Sequence, residues 1–125
     1  MAKRESEFEH THLLEMLGEW LYGQEVTDVR ADIDGFHRPD IISVEGGGEG
    51  LVPDATARGE QFLIYEVETP DSIDDEHTES QWRLFAEYAA KNNGSFHVVV
   101  HPMSVKDAKK RVKELSIDAK VVPMP

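Results

Sequence analysis

Apolar positions change rhythm along this chain, and each change predicts an element. From Phe8 to Tyr22, Leu13, Leu14, Leu17, Trp20 and Leu21 repeat at helical spacing, an amphipathic helix closed by Gly23. The polar residues 1–7 are expected to fray outside it. Glu25–Asp34 alternates weakly through Val26 and Val29 and reads as a weak strand. Ile41-Ile42-Ser43-Val44, after Pro39-Asp40, is a strand-like run. Gly46-Gly47-Gly48 reads as a flexible loop, because no Gly-Lys-Ser/Thr follows to make it a phosphate loop.

Val52–Thr69 then reads as a β-hairpin turning at Arg58-Gly59, with a strand over Gln61–Val67 rich in Phe62, Ile64, Tyr65 and Val67. Thr69-Pro70-Asp71 stops the strand. Ser72–Asn93 reads as a second helix, with acids crowding its start and Asn92-Asn93-Gly94 closing it. Ser95–His101 is a strand apolar enough to be covered on both faces, hence central and parallel to the Gln61 strand. Ser104-x-x-Asp107 resembles a capping box before a third helix over Val105–Leu115, and Lys120–Val122 forms a short edge strand. The string is helix, two or three antiparallel strands, helix, strand, helix, short strand. That is one α/β (α+β) domain with a mixed central sheet flanked by helices, spanning 1–125.

Charge complicates the picture. The net charge is −12, but residues 1–90 carry −16 and residues 91–125 carry +4. The basic excess centres on the third helix, where Lys106, Lys109, Lys110 and Lys113 form either a solvated face or a phosphate-backbone contact. No cysteine is present, so disulfide and thiolate chemistry are excluded. No apolar run approaches a membrane span and no signal-type segment starts the chain, so a soluble cytoplasmic protein is expected.

The candidate chemistry lies in the hairpin. Side chains alternate across a strand, so Ile64, Glu66 and Glu68 share one face, and two carboxylates end an otherwise apolar row. Burying them ionised and unpartnered costs several kcal/mol or more each, and a divalent cation would compensate. Asp54, on the other arm, folds back toward Glu66. Asp40 is a rival acid, but Asp54 is preferred because one tight hairpin joins it to Glu66. On the second helix His77, Gln81, Leu84 or Phe85, and Tyr88 fall along one side. His77 reads either as a polar first-turn residue or as a ligand for phosphate or water, and Tyr88 as core packing with a wet hydroxyl. His97 and His101 lie roughly 13 Å apart along a strand, too far to share a metal, and read as structural.

Pro53-Asp54 followed by Glu66-Val67-Glu68 resembles the signature of the PD-(D/E)XK nuclease superfamily, which includes many restriction endonucleases, archaeal Holliday-junction resolvases and repair nucleases. The predicted order of elements fits that family over most of the chain. The family's usual lysine is Glu68 here, a replacement that some active restriction enzymes of the family also carry. The resemblance implies a three-layer restriction-endonuclease-like domain that hydrolyses phosphodiester bonds in DNA. It implies Mg²⁺ or Mn²⁺ held by Asp54, Glu66 and the Val67 carbonyl. Glu68 would then orient or deprotonate water or help hold a second metal, and Gln81 would match the glutamine that such nucleases carry on the helix after this strand. Relatives often place a glutamate on the first helix, where this chain has Glu9 and His10; both also read as ordinary helix residues. Many family members act as dimers, so a homodimer or a partner protein is expected. The alternative is a nuclease-fold subunit that binds or assembles in a repair or defence complex without cutting.

Overall fold

The computed structural model describes residues 2–46 and 48–124, with side chains from residue 7 onward. It is a small α+β domain with three helices and a five-stranded mixed sheet. The elements are α1 (Ala2–Tyr22), β1 (Thr27–Ala31), β2 (Ala55–Arg58), β3 (Phe62–Val67), α2 (Glu76–Lys91), β4 (Gly94–Val100), a 3₁₀ turn (Pro102–Ser104), α3 (Val105–Leu115) and β5 (Lys120–Pro123). The strands lie in chain order across the sheet. β1, β2 and β3 pair antiparallel; β3, β4 and β5 pair parallel.

The two faces are covered separately. Leu13, Leu14, Leu17 and Leu21 of α1 pack on Ala55, Ala57, Tyr65, Val67 and Val99. Trp82, Phe85 and Ala89 of α2, with Ala108 and Leu115 of α3, pack on Ile64, Phe96, Val98 and Val100. This is the alternation expected of a sheet buried on both sides. Being interior, β3 and β4 take the most apolar strand sequences, and the short β5 lies at an edge.

Several expectations are corrected. α1 begins at Ala2, not Phe8, because the Ala, Lys, Arg and Glu ahead of Phe8 are good helix formers. The second helix begins at Glu76, not Ser72. The Asp75 carboxylate accepts from the His77 N–H at 2.9 Å and fixes the N-cap there. Its end falls at Lys91, and Asn93 takes the left-handed conformation (φ 51°). Gly94 instead begins β4, where a Cβ would meet the Phe62 carbonyl oxygen at 2.9 Å. The weak strand shortens to Thr27–Ala31, with irregular register after Thr27 and Asp28 at φ 50°. Ile41–Val44 contributes a single bridge, Ile42 to Leu51, rather than a strand of the sheet. In the glycine loop beside it, Gly47 lies outside the described residues. The capping box at Ser104 does not form. Pro102 opens a 3₁₀ turn that leaves Ser104 at φ −101° and ψ 0°, away from the extended N-cap conformation.

Candidate functional site

The β2–β3 register decides what meets what. Ala55 faces Tyr65, so the next rung places Asp54 opposite Glu66. The Asp54 N–H donates to Glu66 Oε2 at 2.7 Å, and the Val67 N–H donates to Asp54 Oδ2 at 2.7 Å. The Asp54 carbonyl accepts from the Asp32 N–H at 2.8 Å, which ties the chain leaving β1 to the same point. Both the backbone and one carboxylate oxygen of Asp54 are therefore clamped. α1 adds His10, whose Nε2 stands 3.1 Å from Asp54 Oδ2.

Glu68 follows the last residue of β3 and stays on the sheet, its N–H donating to the Val99 carbonyl at 2.9 Å. It is buried against α2. Trp82 Nε1 donates to Glu68 Oε2 at 2.8 Å and Ser72 Oγ to Glu68 Oε1 at 2.7 Å. The Thr69–Ser72 turn makes the second bond possible. Thr69 N–H donates to Ser72 Oγ and Ser72 N–H to the Thr69 carbonyl, each at 3.0 Å, so the serine folds back on the strand end.

These groups open into a cleft of about 540 Å³, lined by residues of α1, β3, the turn after it and the first turns of α2. Asp54, Glu66, Val67, Glu68, His77 and Gln81 all line it, as does His10. The cleft lies at the carboxyl end of β3, where the helix dipole of α2 starts, a usual position for sites in α/β sheets. Its lining includes Glu7, Asp54, Glu66, Glu68, Asp71 and Asp75. Among the described residues lining it there is no lysine or arginine.

Burial and crowding shape the protonation. Burial pushes Glu66 well above the ordinary carboxyl range, and the charges of Asp54 and Glu68 push it further. Burial raises Glu68 to about 7, opposed by the bonds from Trp82 and Ser72. The hydrogen bond to Asp54 raises His10, against a lowering by burial.

Other candidates fall elsewhere. Asp40 is exposed, 3.3 Å from Arg30, outside the cleft. Glu9 does not line the cleft either. Tyr88 packs edge-to-face on Phe62, centroids 6.1 Å apart, in keeping with core packing. His97 is buried, its Nδ1 3.1 Å from the Ile64 carbonyl and its ring stacked on Tyr65, which fits a structural role; burial lowers its pKa. Lys106, Lys109, Lys110 and Lys113 are exposed on α3 and do not line the cleft. The neighbouring Arg111 turns inward to Glu79, at 3.2 Å.

Sequence reading missed Ser72 and Trp82. The available signal was Glu68 itself, since a carboxylate at the end of a buried row needs donors.

No family model, curated protein or solved structure matches this chain.

Among the described residues no three His, Asp or Glu side chains converge into a ready-made metal cage. Both oxygens of Glu68 are engaged, by Ser72 and Trp82. The remaining donors still suit a hard cation. Mg²⁺ binds through one or two carboxylates and keeps several waters. Asp54 and Glu66 supply two adjacent carboxyls, and among the described residues no donor reaches Asp54 Oδ1 or Glu66 Oε1. Two like charges this close in a buried site need either a shared proton or a cation.

Proposed function

We propose that the chain is a divalent-metal-dependent nuclease of PD-(D/E)XK type that hydrolyses phosphodiester bonds in DNA, with Glu68 in the lysine position. The observation that carries this reading is the Asp54–Glu66 pair: two facing carboxyls, one buried and shifted toward its neutral form, in a cleft whose described lining holds no lysine or arginine. Phosphate would be repelled from such a cleft unless a cation were bound. The order of helices and strands supports the reading, since it is the order the family resemblance implies.

Asp54, Glu66 and the Val67 carbonyl would hold Mg²⁺ or Mn²⁺. Bound there, the ion would polarise a phosphoryl oxygen and lower the pKa of a water. Glu68 is held by Trp82 and Ser72, and with a pKa of about 7 it can accept a proton near neutrality, as a general base must. Gln81 and His77, on the first turns of α2, would place the water or a phosphate oxygen. The lysines of α3 would touch the phosphate backbone outside the cleft. A homodimer or a partner protein would supply grip that an acidic chain of 125 residues lacks. Among the described residues no helix is long and apolar enough to cross a membrane, and a cytoplasmic location fits this activity.

One observation favours a second reading. With Glu68 engaged at both oxygens and no lysine beside it, the same cleft suits a nuclease-fold subunit that binds without cutting. Incubation with plasmid and single-stranded DNA in Mg²⁺ or Mn²⁺ separates the two. The nuclease reading requires cleavage that chelator abolishes. Intact DNA at every metal concentration would leave the binding module.

A further inference from the structure

The proposed chemistry leaves a contact between α1 and the sheet unused. His10 reaches from α1 across to Asp54 on the sheet, a separation of 44 residues in sequence. Its Nε2 meets Asp54 Oδ2, the same oxygen that takes the Val67 N–H at 2.7 Å. One carboxylate oxygen is thus gripped by two elements, while Oδ1 has no donor among the described residues.

An aspartate carboxyl turns readily about its terminal torsion, because that torsion is broad and roughly two-fold. A single donor, the Val67 N–H, restrains this rotation only in part. A second donor from a different direction fixes the plane. With Oδ2 committed to α1 and β3, Oδ1 becomes the oxygen presented to a ligand.

We propose that His10 is a positioning residue: it donates from Nε2 to Asp54 Oδ2 and so orients Asp54 Oδ1 for a divalent cation shared with Glu66. The inference rests on the metal reading of the site. His10 itself makes no bond to the ion, because its Nε2 is spent on Asp54 and carries a proton there. Partners of this kind behind metal-binding carboxylates typically change affinity by about 10–100-fold when removed.

Mn²⁺ binding, measured by calorimetry on wild type, His10→Ala and His10→Gln, tests this together with the imidazole tautomer of the metal-free wild type. Gln is the informative variant, since its side-chain amide can donate at about the reach of Nε2. Loss of about tenfold or more in affinity in His10→Ala, with His10→Gln within about threefold of wild type, is the expected result. Unchanged affinity in His10→Ala overturns the proposal. Equal losses in Ala and Gln also overturn it, since they would make the ring itself the ligand. The tautomer is read from long-range ¹H–¹⁵N correlations without metal or mutation. A proton on Nε2 is expected, and an imidazole protonated on Nδ1 alone overturns the proposal even if the variants misfold. Failure of wild type to bind Mn²⁺ would instead remove the metal reading, and the tautomer would still decide whether His10 donates to Asp54.

Discussion

Asp54 and Glu66 stand opposite each other one rung beyond the β2–β3 ladder, joined by a 2.7 Å bond from the Asp54 N–H to Glu66 Oε2. The bond holds the Glu66 carboxyl against the Asp54 backbone, and both carboxyls line one cleft. The proposed cation site follows from that meeting.

The two aspartates that follow prolines should behave differently. Asp54→Ala removes a cation ligand and should lower Mn²⁺ affinity by at least about 100-fold, the top of the range for loss of a partner that only orients a ligand. Asp40→Ala touches an exposed side chain paired with Arg30 and should leave affinity within about twofold, with stability within about 0.5 kcal/mol. Calorimetry and urea denaturation on both variants check this. Similar losses in the two would put Asp40 in the site.

Metal-free stability should depend on pH in a defined direction. Glu68 has its folded pKa raised from 4.5 to about 7, so the folded state binds the proton more tightly than the unfolded chain. The stabilisation is fully present below about pH 4.5 and is lost as pH rises through 7. The loss is about 3 kcal/mol at 1.36 kcal/mol per pKa unit. Glu66, also raised, adds in the same sense, and His10 extends the decline above 6.5. Urea denaturation at pH 5 and pH 8 should show wild type falling and Glu68→Gln falling by less. A wild type more stable at pH 8 would contradict the burial of ionised Glu68.

The bond from Trp82 to Glu68 should matter most when Glu68 is charged. Trp82→Phe keeps much of the buried ring but removes the donor at 2.8 Å. A donor lost to a buried acceptor costs about 1–3 kcal/mol. The destabilisation relative to wild type should be larger at pH 8 than at pH 5. An equal cost at both values would assign it to packing alone.

The α3 lysines give a separable prediction. Replacing Lys106, Lys109, Lys110 and Lys113 by alanine should leave folding intact, because all four are exposed. If they touch phosphates, DNA affinity falls and the salt dependence flattens by about 0.9 for each phosphate no longer neutralised. An unchanged slope would place the phosphate-binding surface elsewhere on the molecule.

Much of this could be read from the sequence because it rests on strong local patterns. The rhythm of Leu13, Leu14 and Leu17 made α1 visible, and the apolar runs made β3 and β4 visible. The sequence also put Asp54, Glu66, Glu68, His77 and Gln81 forward together, and the fold brings them to one cleft. What stayed hidden depends on exact register and on distant partners. Asp54 could be placed near Glu66 but not opposite it, because loop length sets the rung. The grip of Trp82 and Ser72 on Glu68 needed the turn over Thr69–Ser72, whereas the sequence pattern starts the helix at Ser72. His10 could be placed on the packed face of α1, but its bond to Asp54 spans α1 and the sheet, and no local pattern encodes that.

The most direct test is Mn²⁺ titration by calorimetry on wild type and Glu66→Ala, with plasmid and single-strand cleavage assayed in the same buffer. The account predicts a single class of site in wild type, absent in Glu66→Ala, with cleavage lost alongside it. Glu66→Ala that binds Mn²⁺ like wild type, or cuts as fast, would contradict it.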